Sequence, residues 1–346
     1  MCLKLSVLFI FIYCGAFGQT PPATYGVVFS GSTTTTTTPR PIQSGCRCVA
    51  AGSCPTNLGI DVRIVNQGAS ASCAAGQVWC CGQPSGISTS CGIRKITDAS
   101  AQPTGTARYG AYPWQVAILL PDNTYLGSGV LINDNHVLTV AHKVAPYPNL
   151  NFKLRLGDWD GQTTNEQYPY KEYNPVRVFI HPNYNSQNLF NDVAVIRLNG
   201  IVPLATSPNI NTACLPTGAP VAGSRCYVAG WGKNSFGSSG TYQRVLKEVD
   251  VPIVDQNTCE TRLRATRLGQ YFILDRNSFM CAGGETGKDS CTGDGGAPLV
   301  CSSNSGQWTA VGLVGWGIGC ADSTVPGVYV NIFNYLSWIN QQLTAA

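Results

Sequence analysis

Short runs of apolar residues recur from about residue 91 to the C-terminus, separated by glycine, proline and asparagine. Runs that are rich in β-branched residues and bounded by turn residues are typical of strands. Their repetition over roughly 250 residues predicts an all-β domain, either a sandwich or a barrel. One helix is predicted, at the end of the chain, over residues 334–343. The clearest strand predictions fall at residues 116–120, 130–132, 176–180, 193–198, 249–253 and 311–314.

The first 45 residues follow another pattern. A mostly apolar stretch at 5–13 follows Lys4 and precedes small residues, which predicts a secretory signal peptide over residues 1–18. Residues 19–45 contain a run of threonines followed by two prolines, the composition of an extended linker. No segment has the roughly 20 apolar residues that a transmembrane helix needs, so no membrane insertion is predicted.

Cysteines dominate the next segment, residues 46–82. The chain has 16 cysteines, and those outside the predicted signal are even in number, so full pairing in an oxidising compartment is expected. The segment is too short to hold a core unaided, so disulfides must stabilise it, and its sequence leaves fifteen connectivities open. Residues 83–100 connect it to a domain over residues 101–346. The cysteines of the segment are Cys46, Cys48, Cys54, Cys73, Cys80 and Cys81.

Composition and charge exclude some classes of function. Of the residues, 44% are hydrophobic and 12% are charged. These apolar residues are enough to bury a core, so a chain that is disordered over its whole length is excluded. The formal net charge is +4 and no basic run occurs. Neither nucleic acid nor an anionic membrane is therefore expected as the main partner.

Three motifs in the long domain carry candidate chemistry. They stand in the order histidine, aspartate, glycine-rich turn: LTVAH at 138–142, NDVAV at 191–195 and DSCTGDGGAPLVC at 289–301. Three more, PWQV, AGWG and PGVY, begin at residues 113, 229 and 326. From Cys91 onward the chain thus resembles the chymotrypsin-like serine proteases. The resemblance implies a double β-barrel with a C-terminal helix.

The resemblance also implies a lost nucleophile. In that family a serine in the glycine-rich turn is deprotonated by a histidine that a buried aspartate orients. The matching positions here are Gly295, His142 and Asp192. Without a side-chain oxygen no acyl-enzyme can form, so the domain is predicted to be a pseudo-protease rather than an enzyme. His142 and Asp192 are expected to persist as a buried, hydrogen-bonded pair.

Other positions depart from the family or follow it. Asp289 matches the aspartate at the base of the specificity pocket in trypsin-like members. Either it still binds an Arg or Lys of a partner, or it is inherited without a use, and the sequence leaves both interpretations open. Gly127 and Lys143 stand where the family has a bridged cysteine pair. Residues 101–104 stand where active members are cut, yet they lack a basic residue and Ile-Val. Asp294 is therefore expected to lack the ammonium of a newly cut terminus.

The whole mature chain resembles the clip-domain serine protease homologues of arthropods, the masquerade-like group. This implies secretion into haemolymph and a non-enzymatic role, as cofactor or scaffold, in the innate-immune cascade that activates prophenoloxidase and leads to melanisation. It implies a clip domain at 46–82 as well. By resemblance the disulfides are Cys46–Cys80, Cys48–Cys73, Cys54–Cys81, Cys91–Cys214, Cys226–Cys301, Cys259–Cys281 and Cys291–Cys320.

The partners implied are prophenoloxidase, its activating clip protease and an upstream trypsin-like protease. We expect the upstream protease to cut between Arg63 and Ile64, because Arg63 is a basic residue in a long exposed loop. Oligomerisation after this cut is left open. Two alternatives remain: an adhesion or pattern-recognition protein that binds microbial surfaces, and a residual trypsin-like protease.

Calcium is the one cofactor that the sequence suggests, and none is required. Asp158, Asp160 and Glu166 lie in a loop where some relatives bind calcium, and several oxygen ligands in one loop suit that cation. A merely solvated acidic loop would explain the same residues.

Overall fold

The computed structural model describes residues 90–233, 240–287, 293–319 and 324–345, and the backbone of two earlier strands. These strands, β1 (Cys46–Ala50) and β2 (Gln77–Cys81), pair antiparallel with Cys46 opposite Cys81. The predicted signal and linker, the Arg63–Ile64 bond and the three clip disulfides lie outside the described residues.

The first half of the long domain forms a barrel-like antiparallel sheet of seven strands in the order β7-β6-β3-β4-β5-β9-β8. Its two ends, β7 and β8, are separated in the chain only by Asn174, so the sheet curls until its edges meet. The strands are β3 (Gln115–Leu119), β4 (Tyr125–Leu131), β5 (His136–Thr139), β6 (Lys153–Leu156), β7 (Lys171–Tyr173), β8 (Pro175–Ile180) and β9 (Ala194–Leu198).

The second half forms a closed barrel in the order β10-β11-β12-β15-β14-β13. All its neighbouring strands pair antiparallel. The strands are β10 (Arg225–Gly230), β11 (Lys247–Val254), β12 (Phe279–Gly283), β13 (Pro298–Ser302), β14 (Trp308–Trp316) and β15 (Pro326–Asn331). The predicted all-β double barrel is confirmed, and each of the six predicted strands overlaps an observed one.

The helices differ from the prediction in number. The C-terminal helix begins as a 3-10 turn at Ile332–Tyr335 and continues as α3 (Leu336–Leu343). Two more helices are present, α1 (Ala141–Val144) and α2 (Gln256–Arg264), so the prediction of one helix was wrong. Because α2 is mostly polar, it lacks a clear apolar stripe, but Asp255 caps it by accepting from two backbone N–H groups. No helix in the described ranges is long and apolar enough to cross a bilayer.

The two barrels share a core. A cluster of buried apolar residues contains Trp114 and Leu138 from the first barrel and Trp231 and Leu313 from the second. Gln115 ties the barrels together, because its side-chain amide donates to Ser128 Oγ at 3.0 Å and to the Ala229 carbonyl at 2.9 Å. The barrels are therefore one packed unit, and residues at their junction are held in fixed positions.

Three disulfides join distant parts of this unit, and they are pairs that the family resemblance implies. They are Cys91–Cys214, Cys226–Cys301 and Cys259–Cys281. The pair Cys291–Cys320 lies outside the described residues.

Lys95 fastens the connector to the domain near the first of these disulfides. Its Nζ donates to the carbonyls of Leu204 at 2.6 Å, Ser207 at 3.3 Å and Ile210 at 2.8 Å. Burial lowers the pKa of this ammonium to about 8. Three carbonyls satisfy all three donors of the group, so the Lys95 side chain is not presented to a protease.

We predict that trypsin added to the folded protein does not cut after Lys95. Proteolysis needs local unfolding, and here opening would break the three hydrogen bonds from Lys95 Nζ. In Lys95→Arg the longer, planar guanidinium cannot reproduce this geometry, so cleavage after residue 95 should become detectable by N-terminal sequencing. Equal cleavage rates in the two proteins would contradict the anchoring role of Lys95.

Candidate functional site at the junction of the two barrels

His142 and Asp192 form a hydrogen-bonded pair on the first barrel, in which Asp192 is buried and His142 is partly exposed. His142 lies on α1, directly after β5, and Asp192 precedes β9. Asp192 is fully buried, and its Oδ2 lies 2.6 Å from His142 Nδ1. Its Oδ1 accepts from the backbone N–H of His142 at 2.7 Å. Because the carboxylate accepts from Nδ1, the proton is assigned to that nitrogen and Nε2 is left as an acceptor.

The glycine-rich turn approaches this pair from the second barrel. The Gly295 carbonyl accepts from the backbone N–H of Ser128 on β4 at 3.0 Å, which docks the turn on the first barrel. Gly296 has φ of 86°, and a Cβ there would collide with the Ser128 carbonyl and Thr139 Oγ1. Only glycine fits this approach, so Gly296 is a steric requirement of the barrel junction.

Gly295 lies under the imidazole of His142. A Cβ built on it would be 3.2 Å from His142 Nε2 and 2.6 Å from Cε of Lys143. The Lys143 side chain thus extends into the space in front of residue 295. Burial lowers the pKa of this lysine, while the charges of Asp294 and Asp192 act in the opposite direction.

Asp294 is buried beside the same turn, at 9% exposure. Its Oδ1 accepts from the backbone N–H of Gly232 at 2.8 Å, and a Cβ at Gly232 would collide with this carboxylate. Residues 101, 103 and 104, where active relatives of the family are cut, are exposed on the surface instead.

Two of the three predicted calcium ligands have buried carboxylate oxygens with no hydrogen-bond partner. These atoms are Asp158 Oδ1 and Glu166 Oε2. Burial raises the pKa of Asp158 to about 6 and that of Glu166 to about 7, and each of the two also feels the charge of neighbouring carboxylates. The second oxygen of each carboxylate is already bonded: Asp158 Oδ2 pairs with Arg155 Nη1 at 3.1 Å, and Glu166 Oε1 accepts from the backbone N–H groups of Trp159 and Asp160. The two remaining oxygens are of the kind that calcium prefers as ligands.

Asp160 does not belong to this donor set, because Arg244 holds its carboxylate. Arg244 Nε donates to Asp160 Oδ1 at 2.7 Å and its Nη2 donates to Oδ2 at 2.6 Å. Among the described residues no three His, Cys, Asp or Glu side chains are grouped around one metal position. Further calcium ligands would be carbonyls or water. Calcium itself stays a prediction.

The structure thus brings His142, Asp192 and Gly295 together. It leaves Asp289, the predicted pocket base, outside the described residues. Sequence reasoning did not find that Lys143 enters this site; the only signal was that two family cysteines are missing at positions 127 and 143, which leaves space to be filled.

Comparisons with known proteins identify the same family. The family model described as trypsin matches residues 103–339. An inactive CLIP domain-containing serine protease A3 of Aedes aegypti is 45% identical over 324 residues, which cover 87% of this chain and 67% of that protein. Phenoloxidase-activating factor 2 of Galleria mellonella is 45% identical over 73% of this chain and 86% of its own. The protein masquerade of Drosophila melanogaster is 39% identical over 67% of this chain and 22% of its own.

The His142–Asp192 pair predicts a measurable loss of stability when its acceptor is removed. Asp192→Ala leaves two donors of His142 without their partner and opens a cavity, which should lower the free energy of unfolding by about 2–4 kcal/mol. Asp192→Asn keeps the shape and one acceptor, so it should cost clearly less. Urea unfolding of both variants measures the difference, and similar losses would contradict the hydrogen-bond account.

The two carboxylate oxygens without a hydrogen-bond partner, Asp158 Oδ1 and Glu166 Oε2, predict calcium binding. Calorimetry should show heat in the micromolar to millimolar range, and Glu166→Gln should abolish it, because the amide removes a ligand charge. Without calcium, the free energy of unfolding should fall as pH rises from about 5 to 7. Burial raises the pKa of both carboxyls in the folded state, so the folded state is favoured while they are protonated, and this advantage is lost as pH rises through the raised pKa values. Glu285→Gln, on a surface ion pair with Arg225, is the control variant. No heat with the parent protein would dispose of calcium.

Proposed function

This chain belongs to the trypsin family, within its clip-domain serine protease homologues, and we propose that it works by binding, as a non-catalytic cofactor in a secreted protease cascade. Close relatives are named inactive serine proteases, which supports a pseudo-protease. The observation that carries the proposal is the position of Gly295 under His142 Nε2, where the family has its nucleophile.

The missing oxygen at residue 295 removes the first chemical step. A serine there would pass its proton to the imidazole and attack the substrate carbonyl. Glycine can do neither, and loss of this nucleophile costs on the order of a million-fold in turnover. His142 retains a free Nε2 lone pair but has no hydroxyl to deprotonate.

Neighbouring hydroxyls do not replace the nucleophile. Thr139 Oγ1 donates to the Ser128 carbonyl at 2.7 Å, and Ser128 Oγ is bonded to Tyr125 at 2.7 Å. Both side chains are fully buried. A buried hydroxyl committed to a hydrogen bond is not accessible to a peptide substrate.

Retention of the fold without the nucleophile supports a binding role. The barrels, the His142–Asp192 pair and the docked turn keep the shape of a protease surface, which a partner protease or its substrate could recognise. One relative of high similarity is named a phenoloxidase-activating factor, and this supports placing the chain in the prophenoloxidase cascade of the haemolymph. The activating protease would be the second partner, and the cut at Arg63–Ile64 would make the chain competent.

Two reagents test the pseudo-protease part of the proposal. We expect that neither a chromogenic arginine substrate nor a fluorescent fluorophosphonate reacts with the parent protein above a heat-denatured control. Active trypsin in the same assay shows that both reagents work. A fluorophosphonate adduct on any residue of the long domain would contradict a binding-only function.

A reconstituted mixture tests the cofactor part. Purified prophenoloxidase and its activating protease receive the intact chain, the chain cut after Arg63, or the uncleavable Arg63→Gln variant. We expect phenoloxidase activity to change at least tenfold only with the cut chain. No change, combined with retention of the chain on bacteria or β-glucan, would favour a pattern-recognition protein instead.

A further inference from the structure

The Lys143 side chain lies between the glycine-rich turn and β4. A Cβ at Gly295 would lie 2.6 Å from Lys143 Cε, and one at Gly127 would lie 3.1 Å from its Cδ and Cε. Carbon atoms pack at about 3.5–4.0 Å, so a side chain at Gly295 requires the end of the lysine side chain to move. At Gly127 a Cβ would also lie 2.8 Å from the Gly295 carbonyl oxygen. The lysine stem therefore fills the gap between β4 and the turn.

Two buried carboxylates attract the Lys143 ammonium, although burial has the larger effect and lowers its pKa. Asp192 is fully buried and Asp294 is 9% exposed, and both attract the lysine ammonium. An ion inside a protein is favourable only when opposite charge offsets its loss of hydration. In active members of the family a newly cut terminus brings an ammonium to the aspartate of the turn. Here residues 101, 103 and 104 are exposed, and Lys143 is a partly buried cation that both carboxylates attract.

We propose that Lys143 is a second block on the former catalytic centre, independent of the missing hydroxyl, because its stem fills the space that a side chain at residue 295 would occupy. The inference rests on the proposed function in one respect, that residue 295 is the nucleophile position. It adds that restoring a serine there does not restore a reactive centre while Lys143 remains.

A double-mutant cycle tests the packing of Lys143 against residue 295. Gly295→Ala should lower the melting temperature by roughly 2–4 °C when Lys143 is present, because the added methyl collides with its stem. In the Lys143→Ala background the same change should cost nothing measurable. Additive effects of the two substitutions would overturn the proposal.

Labelling with a fluorescent fluorophosphonate tests the chemical consequence. Three proteins are compared after their folds are checked by melting temperature: Gly295→Ser alone, Gly295→Ser with Lys143→Ala, and Gly295→Ser with Gly127→Cys and Lys143→Cys, which restores the family's bridged pair. We expect the two proteins without the lysine to react at least tenfold faster than Gly295→Ser alone. Equal rates, including no reaction in all three, would overturn the block by Lys143. Labelling of the parent protein, which has glycine at 295, would instead contradict the proposed function.

Discussion

The structure depends on a very close approach of two backbones at the junction of the barrels. The turn that contains Gly295 and Gly296 docks on β4 through the hydrogen bond between the Gly295 carbonyl and the Ser128 N–H. At Gly296 there is no space for a Cβ, and the AGWG turn leaves none at Gly232, where the Asp294 carboxylate packs. These contacts fix the turn against His142, so the geometry of the site follows from the way the barrels pack.

This constraint explains how a catalytic geometry persists without catalysis. Asp192 is fully buried and needs the two hydrogen bonds from His142, so loss of either residue would destabilise the domain whether or not a substrate is cut. Residue 295 makes no such contribution to stability, because a glycine there leaves no buried polar group unsatisfied. A side chain can therefore be lost at this one position while the surrounding geometry is retained.

The acidic residues of the 158–166 loop differ in their hydrogen-bond partners. Asp160 is neutralised by Arg244, a partner within the chain, whereas Asp158 and Glu166 each keep a buried oxygen without a partner. Arg155 offsets the charge of Asp158 through its other oxygen, and Glu166 Oε1 accepts from two backbone N–H groups. The two oxygens that remain without a partner are the places in this loop where a proton or a cation would offset the cost of burial.

The sequence by itself determined the strand pattern and the absence of a hydroxyl at 295, because periodicity and residue identity are local properties. Periodicity left a sandwich or a barrel open, and the double barrel was implied by the family resemblance of the motifs. It missed α2, whose polar face gives no apolar stripe, although Asp255 marked its start. Only the tertiary structure decided which side chain fills the space in front of Gly295. Lys143 enters that space because β4, α1 and the turn meet there, and contacts between segments distant in the chain exist only once the barrels have packed.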